Sequence, residues 1–263
     1  MASEGKGVLV KADPIANTFR EEIKSALAAA PRPPKLVGIL ATAAAPSRFY
    51  AEFTKKQCDA LGVEFVLRTV GAAADETLAP GEGVEEAIIE ANEDDGVDGI
   101  MVYYPIFGVQ QDHYLQQIVS PYKDVEGLNF KFHYNLYHKS EVVGRPLAAL
   151  LANDGARVFS VDIDSIQEYT KRPRQSAEQR KYHPRHVVHP STLSLSECLA
   201  LSDVVVSAVP SAAYKVKTSA LKDGCVCLNV AADKNFETDV REKASLYLPT
   251  IGKVTIMMLL RNL

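Results

Sequence analysis

The sequence predicts an α/β fold in two lobes. Short apolar runs of strand length alternate with segments of helical periodicity. A polar and aromatic stretch near the middle interrupts that alternation, which then resumes. The 263 residues are 47% hydrophobic and 24% charged, enough for two modest domains and too apolar for extensive disorder.

The elements follow in order. Residues 13–30 set Ile15, Phe19, Ile23 and Leu27 on one helical face, and the prolines at 31–34 stop the helix. Residues 35–42 (KLVGILAT) are a short apolar run bounded by Pro and small residues, hence a buried strand. Residues 46–62 read as a helix with Ser47 as cap and Gly62 as stop. A strand over 63–70, a helix over 83–96 and a buried strand over 97–106 complete a βαβαβ order, which implies a parallel sheet with right-handed crossovers. Residues 109–139 hold one short helix at most and read as a hinge. Beyond it come a helix at 142–154, a strand at 156–164, and a basic, proline-broken stretch at 167–190 that reads as a surface loop. A helix at 194–203, strands within 204–210 and 224–236, and a closing apolar helix end the chain.

The second lobe departs from a dinucleotide fold in one respect. Such a fold begins with a strand, a glycine-rich turn and a helix. Here the helix at 142–154 follows no apolar strand, G-x-G-x-x-G is absent, and Gly144 stands alone near the helix start. The lobe therefore reads as Rossmann-like without its first strand.

Composition excludes several functions. A net charge of -4 argues against a dedicated nucleic-acid binder. No apolar run is long enough to span a bilayer, and the first residues lack a charged-then-apolar signal layout. Cys58, Cys198, Cys225 and Cys227 follow neither a disulfide nor a zinc pattern, which fits a reducing, cytoplasmic setting. His183, His186 and His189 recur at three-residue intervals, but Pro184 and Pro190 spoil a ligand face, so no metal is expected.

The candidate residues each admit two readings. Asp162 ends the strand VFSVD, where an acid can accept bonds from ribose hydroxyls and repel a 2′-phosphate; it can equally start a turn. Ser140, Gly144 and Arg145 sit where a helix start favours a phosphate, or are a cap and a surface cation. Ala208, Val209 and Pro210 follow one strand and Ala231, Ala232 and Asp233 another, at ends where open α/β sheets bind flat ligands; both can be plain turns. Tyr50 and Thr54 lie four apart on one helix face, with Tyr50 either a stacking ring or a core-edge residue. Tyr103 and Tyr104 end a strand, and Asp124 and Glu126 are paired carboxylates of a kind that usually decorates a turn.

Together SRFYAEFTKK, DGIMVYYPIFG, KDVEGLN, SEVVGRPLAALLANDGARVFSVD and GKVTIMMLL resemble the methylenetetrahydrofolate dehydrogenase/cyclohydrolase family over the whole chain, most of all its monofunctional, NAD-dependent fungal members. The resemblance implies a folate-binding lobe over 1–138, a truncated NAD-binding lobe over 139–248, and a final segment, 249–263, that returns to the first lobe. It implies oxidation of 5,10-methylenetetrahydrofolate to the methenyl form with NAD, in one-carbon metabolism supporting purine synthesis, by a cytoplasmic homodimer. Tyr50, Val102, Tyr103, Tyr104, Glu126, Pro249 and Gly252 fall at folate positions. Ser140, Gly144, Arg145, Val161, Asp162, Ala208, Val209, Pro210, Ala231, Ala232 and Asp233 fall at NAD positions. Thr54 replaces the family's catalytic lysine, which implies dehydrogenase without cyclohydrolase activity. The family's first nucleotide-lobe strand is missing between Lys139 and Ser140, so a weakened NAD site is expected. A non-catalytic product that binds folate or a full-length partner, and a different NAD-dependent dehydrogenase, are the competing readings.

Overall fold

A computed structural model describes residues 6–129, 144–172 and 185–263. The chain divides into two compact units, one of Met1–Ala12 with Tyr134–Gly252, the other of Asp13–His133 with Lys253–Leu263. The two-residue strand β1 (Val8–Leu9) pairs in parallel with a strand at 246–248, so the amino-terminus joins the second lobe and not, as the sequence division had it, the first. Its backbone pairing, reinforced by Arg241 Nε donating to the Gly7 carbonyl at 2.7 Å, decides the matter.

The unit containing residues 13–133 holds α1 (Ala12–Ala29), β2 (Lys35–Leu40), α2 (Ala45–Leu61), β3 (Glu64–Thr69), α3 (Val84–Glu93), β4 (Gly99–Val102) and α4 (Val109–Ile118). Strand β2 is central and parallel to both neighbours, with Val37 opposite Val66 on one side and Ile100 on the other. Successive strand residues point to opposite faces. Leu36 and Leu40 accordingly pack with residues of α1, α2 and the final helix, and Val37 and Ile39 with residues of α3 and α4. Pro46 lies in the first turn of α2, whose N-cap is Ala44; Ser47, expected as the cap, is buried inside the helix. A proline with its fixed φ starts a helix without needing a side-chain cap. Gly62 ends α2 at φ +81, its N–H donating to the Cys58 carbonyl at 2.9 Å.

The other unit contains α5 (Gly144–Asp154), β5 (Val158–Val161), β6 (Ile166–Lys171), β7 (His186–Pro190), α6 (Leu195–Leu201), β8 (Val204–Ser207), β9 (Val226–Asn229) and β10 (Leu246–Leu248). Helix α7 (Gly252–Asn262) follows, and its Ile256, Met257, Leu259 and Leu260 pack in the core of the unit containing residues 13–133. The four parallel strands run β1-β10-β9-β8. A separate sheet, β5-β6-β7, is antiparallel.

That second sheet corrects two expectations. The stretch 167–190, expected as a loop, contributes β6 and the last strand of the sheet. Tyr169 is buried there with its ring 5.6 Å from that of His186, and Arg157 grips Glu168 across the β5–β6 pair with two bonds of 2.7 and 3.0 Å. These cross-strand contacts outweigh the basic and proline-rich composition from which a loop was read. Strand β5, expected as the second strand of a parallel nucleotide sheet, pairs only with β6 among the described residues. Helix α5 covers this sheet through Ala148, Ala149 and Ala152 against Tyr169 and Val158.

Gly38 on β2 leaves room for two rings. A Cβ there would stand 2.7 Å from Phe65 and 3.1 Å from buried Tyr103. Gly38→Ala is expected to destabilise the protein by about 1–3 kcal/mol, read as a lowered thermal midpoint, because a close-packed core resists an added methyl.

Candidate functional site

Three tyrosines and a glutamate converge within the unit containing residues 13–133. Strand β4 is buried throughout, and the Tyr103 N–H then donates to the Ile39 carbonyl at 3.0 Å. Tyr103 thus continues the pleat toward α2, while Tyr104 packs on the side of α3 and α4. The loop after Tyr104 is fixed by Asp112, whose carboxylate accepts from the N–H groups of Ile106, Phe107 and Gly108 at 3.0–3.3 Å.

Glu126 is placed by its neighbour. The Asp124 carboxylate accepts from the N–H groups of Glu126 (3.1 Å), Gly127 (2.9 Å) and Asn129 (2.8 Å). Gly127 takes φ +67, a conformation that favours glycine. Lys123 anchors the start of the loop, donating to the carbonyls of Ala91, Asn92 and Asp94 at 2.8–3.1 Å. The chemistry of KDVEGLN is therefore divided: Lys123 and Asp124 build the loop, and Glu126 is displayed by it. A small cleft beside it is lined by Val102, Tyr104, Gln116, Asp124, Glu126 and Leu128.

The rings and charges are coupled. Tyr50 meets Tyr103 edge to face at 6.0 Å and stacks with Phe53 at 6.5 Å. Burial lifts the Tyr50 phenol to about 12, with the Glu126 charge adding to it. Burial also raises Tyr103 and Tyr104, and Glu126 again contributes to both. Glu126 itself is raised to about 8, by burial first and Asp124 second, against an opposing pull from the Val102 backbone amide. The residue keeps some accessible surface, yet protein packs densely around its carboxyl. Near neutral pH the three phenols are donors and the carboxyl is largely protonated.

Two of these donors are unspent. The Tyr103 and Tyr104 hydroxyls are buried and without a hydrogen-bond partner among the described residues. Thr54 exerts a lowering influence on the Tyr103 phenol, but their geometry makes no hydrogen bond. Thr54 is fully buried, and its hydroxyl donates to the Tyr50 carbonyl one turn back at 2.9 Å. It offers neither a titrating group nor an exposed one.

The expected cofactor residues are distributed over two sheets. Ala208, Val209 and Pro210 follow β8, and Ala231, Ala232 and Asp233 follow the adjacent β9. Buried Asn235 ties the two turns together: its Oδ1 accepts from Ser207 Oγ and Val209 N–H, both at 3.0 Å, and its Nδ2 donates to the Val209 carbonyl at 3.0 Å. Asn229 Oδ1 accepts from Asn235 N–H, and its Nδ2 donates to the carbonyls of Ala231 and Asp233. Gly144 and Arg145 open α5, with Arg145 buried, and Ser140 lies outside the described residues. Val161 and Asp162 are exposed at the turn from β5 to β6, where Asp162 Oδ1 accepts from Ile163 N–H at 2.8 Å. The acid therefore ends an antiparallel hairpin strand, not a parallel one. Pro249 and Gly252 lie in the segment joining β10 to α7.

Of the histidine series, His183 lies outside the described residues. His186 is buried, with Nδ1 3.0 Å from Asn153 Oδ1. Among the described residues no cluster of three His, Cys, Asp or Glu is placed to hold a metal. The four cysteines are buried thiols, and Cys225, just before β9, and Cys227 within it bring their sulfurs to 3.7 Å. Sequence reasoning missed Asp112, Asn229 and Asn235. Their only sequence signal is a short amide or acid beside a strand end, which is shared by many ordinary turns.

Two outcomes follow from the buried groups. The neutral Glu126 carboxyl stabilises the fold fully below about pH 4.5, and that stability is lost as pH rises through about 8. Glu126→Gln is expected to flatten this dependence, matching the parent at low pH and exceeding it above pH 8 by about 1–2 kcal/mol, in melts across that range. Tyr103→Phe removes an unpaired buried hydroxyl and is expected to stabilise the protein by about 1 kcal/mol, read from denaturant midpoints.

Residues 10–126 match the family model described as tetrahydrofolate dehydrogenase/cyclohydrolase, catalytic domain. An NAD(+) methylenetetrahydrofolate dehydrogenase of Saccharomyces cerevisiae is 39% identical, covering 100% of this chain and 96% of its own length. Its counterpart in Dictyostelium discoideum is 35% identical over 97% of this chain and 92% of its own. The solved structure of the NAD-dependent S. cerevisiae 5,10-methylenetetrahydrofolate dehydrogenase superposes with a TM-score of 0.86 at 38% identity, covering 98% of this chain and 96% of that one. The match to the S. cerevisiae sequence runs over 319 positions, more than the 263 residues here, so part of that relative has no counterpart within this chain. The chain belongs to the tetrahydrofolate dehydrogenase/cyclohydrolase family.

Proposed function

We propose that this chain oxidises 5,10-methylenetetrahydrofolate to 5,10-methenyltetrahydrofolate with NAD, without hydrolysing the product. The convergence of Tyr50, Tyr103, Tyr104 and Glu126, in a chain 39% identical to an NAD(+) methylenetetrahydrofolate dehydrogenase, carries this reading.

The unit containing residues 13–133 is the folate lobe. The exposed part of the Tyr50 ring stacks on the aminobenzoyl group, and Glu126 holds the pterin amino group. Tyr103 and Tyr104, buried donors with no partner among the described residues, point to polar folate atoms as the missing acceptors. Val102 closes the apolar floor, and Pro249 and Gly252 fall at folate positions by their resemblance to the family. The reacting carbon lies between two nitrogens whose lone pairs stabilise the cation left by hydride departure. No protein acid or base is needed for that step; positioning is the protein's task. Hydrolysis of the methenyl product needs water activation, which Thr54, buried and bonded to its own helix, does not supply.

NAD supplies the hydride acceptor. The turns after β8 and β9 fit a flat ligand: Ala208, Val209, Pro210, Ala231 and Ala232 are small or rigid, and Asn229 and Asn235 hold them from behind. Asp162 and Val161 would meet the adenosine ribose, Asp233 borders the same turns, and Ser140, Gly144 and Arg145 would meet the pyrophosphate. We assign the protein to the cytoplasm, as a homodimer, in one-carbon metabolism that supports purine synthesis.

The test is turnover of the purified protein with 5,10-methylenetetrahydrofolate and NAD, following methenyl absorbance. The methenyl product is expected to accumulate, Tyr50→Ala to weaken folate binding about tenfold, and Asp162→Ser to narrow the preference for NAD over NADP. Rapid enzyme-dependent formation of formyltetrahydrofolate, or equal use of both cofactors by the parent, would overturn the assignment.

A further inference from the structure

The turns read as cofactor contacts are shaped by a side chain that solvent does not reach. Strands β8 and β9 pair from Val204 opposite Val226 to Ser207 opposite Asn229. One more backbone bond follows, from the Val230 N–H to the Ser207 carbonyl at 2.8 Å. Past that point the chain leaves the ladder on both sides, and the side chain of Asn235, 0% exposed, lies at the junction.

A carboxamide carries two acceptor sites and two donor hydrogens in one plane. Asn235 uses all four. Its Oδ1 accepts from Ser207 Oγ and the Val209 N–H, both at 3.0 Å, and its Nδ2 donates to the carbonyls of Val209 at 3.0 Å and Ser211 at 3.4 Å. Val209 is thus held by both its N–H and its C=O, as a neighbouring strand would hold it. The Asn235 backbone is bound in turn: its N–H donates to Asn229 Oδ1 at 2.9 Å and its carbonyl accepts from the Val216 N–H at 2.7 Å. Asn229, also 0% exposed, passes the constraint to the second turn by donating to the carbonyls of Ala231 at 2.8 Å and Asp233 at 3.0 Å. Ionised aspartate, equal in size, has acceptors only and cannot complete this set.

The outer surface of the same turns is open. Ala208, Pro210, Ala232 and Asp233 are exposed, and Val209 and Ala231 are half-buried. We propose that Asn235 is a positioning residue for the dinucleotide. It acts through the Val209 peptide and, by way of Asn229, through residues 231–233, so that both turns are set before the cofactor arrives. A surface fixed in advance spares the ligand the cost of ordering it. The inference rests on the reading of these turns as the NAD site.

The experiment is a calorimetric NAD titration of the full chain and of Asn235→Asp. When the introduced carboxylate is ionised, its second oxygen faces the Val209 and Ser211 carbonyls. NAD binding is then expected to weaken about tenfold at about pH 8. Burial favours the neutral acid, whose O–H can donate to one of those carbonyls, so the loss is expected to shrink to about threefold at about pH 5. The charged groups around the site, Asp233 and Lys234 beside it and Lys215, whose ammonium donates to the Lys234 carbonyl, are common to parent and variant. Thr218→Val is the control: it breaks a buried bond of 2.6 Å to Asp239 in the same unit and is expected to lower the thermal midpoint with NAD affinity unchanged. Equal NAD affinity in parent and Asn235→Asp, a loss that ignores pH, or a loss that Thr218→Val shares would overturn the proposal and leave the cofactor reading standing. Absence of NAD binding by the parent would overturn both. If Asn235→Asp does not fold, amide exchange in the parent decides: the Val209 N–H is expected to exchange slowly before NAD is added, and fast exchange that slows only on NAD binding would refute a turn set in advance.

Discussion

Pairing of β2 on both sides is the constraint from which the rest of the geometry in the unit containing residues 13–133 follows. With β3 and β4 in fixed parallel register, every side chain of β2 is committed to one face or the other. One face takes α1, α2 and α7, the other α3 and α4. The same register fixes where β4 stops being paired, and so which way Tyr103 and Tyr104 diverge. Gly38 is needed in the middle because the rings of Phe65 and Tyr103 occupy the space over it.

Buried polar groups in this protein fall into two sets. Asp112, Asp124, Asn229 and Asn235 bond backbone groups of the turns they sit beside, and they make those turns rigid. Tyr103, Tyr104 and Glu126 behave otherwise: two hydroxyls have no partner among the described residues and a carboxyl is held largely protonated. A native fold keeps few such groups, because each costs on the order of 1–3 kcal/mol. Their grouping around Glu126 and Tyr50 is the observation on which the proposed folate site rests.

Among the described residues, the unit containing residues 134–252 carries its strands in two separate sheets. Its four parallel strands still close a core, and Asn229 and Asn235 still shape the turns after β8 and β9. The hairpin sheet under α5 holds itself together by antiparallel pairing and the Arg157–Glu168 bridge, with no main-chain link to β8 among the described residues. The turn residues expected to contact the cofactor are thus divided between two sheets, with no ladder between those sheets among the described residues.

The sequence by itself determined the α/β class and the βαβαβ order of the first lobe, because periodicity and apolar run length are local properties. It also marked Tyr50, Tyr103, Tyr104 and Glu126 as a set through their resemblance to a family. Tertiary structure alone decided the rest. The hairpin of β5, β6 and β7 was hidden because its stability lies in cross-strand partners such as Tyr169 and His186, which composition had marked as loop. The place of Val8 and Leu9 depended on a strand more than two hundred residues away. That Asp124 builds a loop while Glu126 is displayed by it could not be read from DVEG, since two carboxylates two residues apart differ only in what the folded backbone offers them.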